Sequence, residues 1–205
     1  MTNCLFFGDS LTYGEYDGIC GGYADILKRY CHDMYSKCFK EVNVFNLGIG
    51  GETTEGLINR IEIELRARIS PVNNLIFISY GANDLAIKNG AYIVPITAFR
   101  RNIETAISIS LQVTKSIFLI SILPISETIE NETTPSGKLR SDKAIKQFND
   151  ELFKISKDHN INYIDIYSGF QKDKETLLSK DGIHPNQIGY MKIAEHLKPI
   201  LKTFL

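Results

Sequence analysis

The chain has 205 residues, 43% of them hydrophobic, with 23 Lys and Arg set against 24 Asp and Glu for a formal net charge of -1. A chain of this length suggests one domain, which buries roughly 70% of the surface exposed when unfolded, so it needs neither disulfide nor metal to fold. The charge balance excludes a general electrostatic pull toward nucleic acid or anionic membrane, although a neutral total leaves room for a local basic patch.

The first apolar run, CLFF (4–7), reads as a buried strand that stops at Gly8-Asp9-Ser10-Leu11. No basic leader precedes it, and it is far too short for a signal-peptide core, so the expectation is a cytoplasmic protein. The stretch 22–34 reads as a helix. Cysteines 4, 20, 31 and 38 show no C-x-x-C spacing and read as free thiols. A zinc site from Cys20, Cys31, Cys38 and His32 would fit no common ligand spacing, so no metal is expected.

A second strand, VNVFNL (42–47), leads into Gly48-Ile49-Gly50-Gly51-Glu52-Thr53. Leu57, Ile58, Ile61, Leu65 and Ile69 then fall on one helical face, with Thr53 or Thr54 placed to cap that helix. The third strand, NLIFIS (74–79), is followed by Gly81-Ala82-Asn83-Asp84 and by a helix whose apolar face carries Ile96, Phe99, Ile103 and Ile107. The fourth, SIFLISIL (116–123), belongs to the longest apolar run, 117–125, which contains Ser121 and Pro124 and falls well short of a membrane span. No stable membrane insertion is expected.

The polar stretch 126–138 is the longest loop, readable as a solvated excursion or as cover for a site. Ile145, Phe148, Leu152 and Ile155 mark the next helix, INYIDI (161–166) the fifth strand, and Ile188, Met191, Ala194, Leu197 and Leu201 the last helix, just after Asp181-Gly182-Ile183-His184-Pro185. Continuously apolar strands alternating with amphipathic helices predict an α/β domain with a parallel sheet covered on both faces.

In such a sheet ligands bind beyond the carboxyl ends of the strands. A serine, a glycine turn, an asparagine and an Asp-x-x-His pair all follow predicted strands, and together they are the parts acyl transfer needs. Ser10 is the candidate nucleophile, His184 the base that takes its proton, and Asp181 the acceptor that fixes the imidazole tautomer. The backbone N–H groups of Ser10 and Gly51 and the side-chain amide of Asn83 are candidate donors to an oxyanion. Taken singly, each segment also reads as a turn or helix cap.

These four blocks, in this order from Gly8 to Pro185, resemble the SGNH hydrolases, also called GDSL esterases/lipases. Gly8-Asp9-Ser10-Leu11 looks like the nucleophile block, Asn46-Leu47-Gly48-Ile49-Gly50-Gly51-Glu52-Thr53 like the second, Gly81-Ala82-Asn83-Asp84 like the third, and Asp181-Gly182-Ile183-His184-Pro185 like the last. The resemblance implies a flavodoxin-like three-layer α/β/α sandwich around a central, mostly five-stranded parallel sheet. It also implies cofactor-free hydrolysis of an ester or thioester. Gly51 matches the oxyanion glycine by its place before the acidic-Thr pair, in a loop it shares with Gly48 and Gly50.

The competing readings are weaker. A flavodoxin-like FMN site would use Ser10 and Thr12 for the phosphate and leave Asp181 and His184 without a role. A dinucleotide site at GIGGET lacks the required glycine at 53 and follows the wrong strand. The substrate is expected to be a small ester with a short acyl group, such as an O-acetyl carbohydrate; a thioester or a lysophospholipid are the alternatives on the same site. Leu11, Tyr13, Leu85, Tyr92 and Ile183 are the candidate substrate contacts.

Overall fold

The computed structural model describes all 205 residues. Strand β1 (Thr2–Gly8) is buried at every position. Its side chains alternate as the pleat requires: Leu5 and Phe7 enter one apolar cluster, Cys4 and Phe6 the other. β1 is central because both of its edges are paired, in parallel, with β2 (Val42–Gly48) and with β3 (Asn73–Ser79). β6 (Ile117–Ile120) joins β3, and β7 (Asn162–Ile164) closes the sheet in the order β2-β1-β3-β6-β7.

The sheet is the five-stranded parallel sheet of an α/β fold, and helices cover both faces. On one side α3 (Thr54–Arg68), α4 (Ile96–Leu111) and α5 (Asp142–Asp158) pack around Leu57, Phe99, Ile103 and Phe148. On the other, α2 (Gly22–Cys38) and α8 (Gln187–Lys202) pack Leu27, Tyr190 and Leu197 against Phe6 and Phe77, whose rings stack at 4.2 Å. The remaining elements are short: α1 (Ser10–Tyr13), the hairpin β4 (Ile87–Lys88) and β5 (Ala91–Tyr92), a 3₁₀ turn at Glu127–Ile129, α6 (Tyr167–Gln171) and α7 (Lys174–Leu177). No helix is long and apolar enough to cross a membrane.

Two predicted strands are shorter than their apolar runs. The fourth ends at Ile120, because side chains take over the backbone pairing beyond it. Ser121 Oγ accepts from the N–H groups of Ile166 and Tyr167, and the Asn149 amide bonds both the N–H and the C=O of Ile122. The same Ser121 contacts end the fifth strand at Ile164. Residues 122–125 are still buried, so the apolar run marks burial correctly and strand length incorrectly.

The chain leaves β1 toward β2 on one side and returns to β3 on the other. This reversal opens a crevice at the carboxyl ends of β1 and β3, the position where open α/β sheets place their ligands.

Candidate active site

Ser10 is the first residue of α1, a single turn that begins directly where β1 ends. Asp9 caps that turn, its Oδ1 accepting the Leu11 N–H at 3.0 Å. The turn is held against β2, because Gly48 lies so close to Tyr13 that a Cβ there would meet the Tyr13 N at 2.1 Å. The backbone that carries Ser10 is therefore held on both sides.

His184 arrives from the segment before α8. Its Nε2 stands 2.8 Å from Ser10 Oγ, and its Nδ1 stands 2.5 Å from Asp181 Oδ2. The other Asp181 oxygen accepts the N–H groups of Ile183 and His184, each at 3.0 Å, which locks the Asp-x-x-His turn. Burial acts to raise the Asp181 pKa, but the His184 ring and the two backbone donors outweigh it and hold the carboxyl below its ordinary value. An ionised carboxylate only accepts, so His184 Nδ1 carries the proton and Nε2 of the neutral ring is left to accept from Ser10 Oγ–H. The Tyr16 ring stands edge-on to the imidazole at 5.1 Å.

Asn83 lies across from this trio. Its Nδ2 donates to the Glu52 carbonyl at 3.1 Å and lies 3.5 Å from Asp9 Oδ2. Glu52 is itself clamped, its carboxylate held by Arg60 at 2.7 Å and by the Tyr80 hydroxyl at 2.5 Å. Neither Thr53 nor Thr54 caps α3 with its side chain. Asp84 does so from the neighbouring loop, accepting Thr54 N–H at 3.0 Å and Thr54 Oγ–H at 2.5 Å. The backbone N–H groups of Ser10, Gly50 and Gly51 have no acceptor in the protein, and all three residues face the crevice. Gly51 alone of the last two has positive φ, at 75°.

Two carboxyls beneath the site are strongly perturbed. Burial pushes Asp9 up to about 7, against the opposing pull of the Leu11 N–H, and pushes Asp84 up to about 6 against its Thr54 bonds.

The crevice has a volume of about 430 Å³. Ser10, Gly51, Asn83 and His184 line it, as do Leu11 and Ile183 from the predicted substrate contacts. Tyr13, Leu85 and Tyr92 do not, which corrects their expected place. Leu85 is fully buried in the core, Tyr92 packs on Phe148 at 5.3 Å, and Tyr13 is exposed outside the crevice. In their stead stand Glu15, Tyr16, Thr134, Ser136, Lys138 and Arg140. The polar stretch 126–138 thus forms one wall of the crevice. Antiparallel bonds of 2.8 and 2.9 Å between Leu139 and Ile87 hold it there. No sequence periodicity announces such a pairing. Cys20, Cys31, Cys38 and His32 do not gather into a metal site.

The frame is that of an α/β-fold enzyme, and a family match makes the chain a carboxylic ester hydrolase. Residues 6–192 match the GDSL-like lipase/acylhydrolase family, and the chain belongs to that family. Among solved structures it is similar to a lipase/acylhydrolase from Enterococcus faecalis at 26% identity, TM-score 0.78, covering 99% of this chain and 96% of that one. A G-D-S-L lipolytic protein from Veillonella parvula shares the fold at 20% identity, TM-score 0.76, over 98% and 99% of the two chains. So does an acetylxylan esterase from Geobacillus stearothermophilus at 22% identity, TM-score 0.72, over 97% and 93%. No curated protein matches the chain.

Proposed function

We propose that the protein cleaves a small carboxylic ester with a short acyl group through a Ser10–His184–Asp181 triad and an acyl-enzyme. The observation that carries this reading is the unbroken run from Asp181 through His184 to Ser10, at 2.5 and 2.8 Å, ending on a hydroxyl at the crevice wall. Ser10 Oγ attacks the carbonyl carbon as its proton passes to His184 Nε2, and Asp181 stabilises the imidazolium. The bond to the alcohol then breaks, and the same proton leaves with the alcohol. Water, deprotonated by His184, next attacks the acyl-serine, the acyl–Oγ bond breaks as His184 returns the proton to Ser10 Oγ, and the acid departs. The oxyanion formed in each half is met by the uncommitted N–H groups of Ser10 and Gly51 and by Asn83 Nδ2.

The crevice supports a short acyl group. Its apolar side chains near Ser10 are only Leu11, Ala82, Ile183 and the ring of Tyr16, and Glu15, Asn83, Thr134, Ser136, Lys138 and Arg140 bring polar groups to the remaining wall. A long chain would leave methylenes in water, forfeiting about 0.8 kcal/mol for each one not buried. The fold shared with an acetylxylan esterase agrees with an O-acetyl substrate. The FMN alternative is disfavoured, because it gives no role to the Asp181–His184 pair that engages Ser10 Oγ.

The test is a panel of acetyl, butyryl and decanoyl esters beside acetylated sugars and acyl-CoA, each run with wild type and Ser10→Ala. Highest kcat/KM on acetyl or butyryl esters, abolished in Ser10→Ala, is expected. A decanoyl or acyl-CoA preference overturns the substrate assignment, and activity retained in Ser10→Ala overturns the mechanism.

A further inference from the structure

The polar wall of the crevice carries charge that nothing in the protein answers. Arg60, Arg66, Arg68 and Arg100 all pair with carboxylates. Arg140, only 6% exposed, pairs with none. Its Nε donates to the Ala82 carbonyl at 3.0 Å, and one terminal nitrogen, Nη2, lies 3.5 Å from Asn83 Oδ1. The other, Nη1, has no protein partner yet is not sealed from solvent, and Arg140 lines the crevice. The guanidinium is thus fixed along two edges with a third set of N–H donors toward the open volume.

Lys138 stands beside it on the same wall, half-buried, with no carboxylate on its ammonium. Burial, and then the repulsion of Arg140 and Lys88, lowers its pKa, so its neighbourhood is cationic. Burial likewise lowers Arg140, with only Asp9 and Asp181 opposing. Asp181 is committed to His184, and Asp9 is itself pushed up to about 7. Glu15, the remaining carboxylate on the crevice, bonds neither cation.

A desolvated cation costs stability unless an anion meets it. Planar guanidinium donors suit a carboxylate or a phosphate, and an ammonium adds point charge. Thr134 and Ser136 add hydroxyls on the same wall. The apolar patch by Ser10 serves the acyl group, which leaves this wall for the alcohol part.

We infer that Arg140 and Lys138 form a subsite for an anionic group, a carboxylate or a phosphate, on the alcohol part of the ester. The inference rests on the ester-cleaving reading of the site and narrows its substrate to an acylated acidic sugar or similar polyhydroxy acid or phosphate.

Binding to the Ser10→Ala protein separates this inference from catalysis. Calorimetry would compare a mono-acetylated methyl glucuronoside, a mono-acetylated glucose phosphate and the neutral mono-acetylated methyl glucoside. The expected result is at least tenfold tighter binding of one charged ester, and which one identifies the anion. That preference should shrink with added salt and vanish when Lys138→Glu is added. Equal or weaker binding of both charged esters, or a preference that survives Lys138→Glu, overturns the subsite. Turnover of the same three esters by wild type reports on the reaction: a charge preference in binding with no turnover of any ester would sink the proposed activity and leave the subsite standing.

Discussion

The loops leaving β1, β2 and β3 and the strap of residues 126–140 line one crevice, but different forces hold them. The strand-end loops continue paired backbone. Gly8 sits in register with Gly48 on one side and Ser79 on the other, so Ser10, Gly51 and Asn83 inherit the rigidity of the sheet. The strap has no sheet beneath it. It is held by the Leu139–Ile87 pairing, a backbone β-bridge between the Glu130 and Arg140 segments, and the reach of Arg140 to Ala82. In the proposed mechanism the strand ends carry the attacking serine and the oxyanion donors, where small misplacement is expensive. The strap carries the proposed anion subsite, and recognition tolerates more variation than bond-making.

The contrast is broken most severely at Ser10. Its hydroxyl bonds only His184, so Ser10→Ala should lower kcat by at least ~10⁴-fold while the melting temperature stays at the wild-type value. An ester assay beside a melting curve checks both. A residual rate near wild type would remove the strand-end serine from the chemistry.

Asn83 ties the two regions together, since it donates to Glu52 of the β2 loop and accepts from Arg140 of the strap. Asn83→Ala should lower kcat by about 10² to 10³ with KM nearly constant, the loss of one oxyanion donor. Unlike Ser10→Ala it should also lose about 1–3 kcal/mol of stability, because the Glu52 carbonyl and Arg140 Nη2 lose a partner. Stability loss with wild-type kcat would reduce Asn83 to a brace between the loops.

The strand-end region was largely legible in the sequence, and the strap was not. A strand followed by Gly-Asp-Ser, Gly-Gly-Glu-Thr or Ala-Asn-Asp is a local signal, because burial and turn chemistry act within a few residues. The Asp181-x-x-His184 turn is equally local, since Asp181 bonds the N–H groups of Ile183 and His184. Arg140 is different. Its role depends on Ala82 and Asn83, 58 and 57 residues away. Choosing Leu85 and Tyr92 as substrate contacts failed for a related reason. An apolar residue after a motif can face the core as easily as the crevice: Leu85 is fully buried ahead of the Ile87–Tyr92 hairpin, and Tyr92 at its end packs on Phe148.

Asp9 sharpens the comparison from below, because rigidity at the strand end comes with a buried carboxyl. Its folded pKa, about 7, lies above its unfolded value near 3.9, so the folded state holds the proton more tightly. The associated stability is present below about pH 4 and is lost as pH rises through about 7. Asp181 has the opposite sign: its depressed pKa contributes stability above its unfolded value that is lost on acidification. Asp9→Asn keeps an oxygen for the Leu11 N–H and removes the ionisation. Each tenfold difference in proton affinity between the folded and unfolded states is worth roughly 1.4 kcal/mol, and the altered contact to Asn83 offsets part of the sum. The variant should therefore gain on the order of 2 kcal/mol over wild type above pH 7. Denaturant melts at pH 5 and pH 8 measure this, and an unchanged difference between the two proteins at both pH values would show that Asp9 is not the titrating group.

The finest test distinguishes the two glycines at the tip of the β2 loop. A Cβ on Gly50 meets nothing closer than Glu15 Oε2 at 3.4 Å, and one on Gly51 meets nothing within 4 Å, so space does not separate them. Conformation does. Gly51 has φ of 75°, where a side chain costs roughly 1–2 kcal/mol, whereas Gly50 stays outside that region. If the Gly51 N–H meets the oxyanion, relaxing that strain turns the donor away from its target. Gly51→Ala should then lose about 1 kcal/mol of stability and up to about tenfold in kcat, and Gly50→Ala should change both by much less. Measured with the same acetyl ester, a larger kcat loss in Gly50→Ala would move the donor one residue back. Equal and small losses in both would leave the oxyanion to Ser10 and Asn83 alone, and the Asn83→Ala deficit should then reach the upper end of its range.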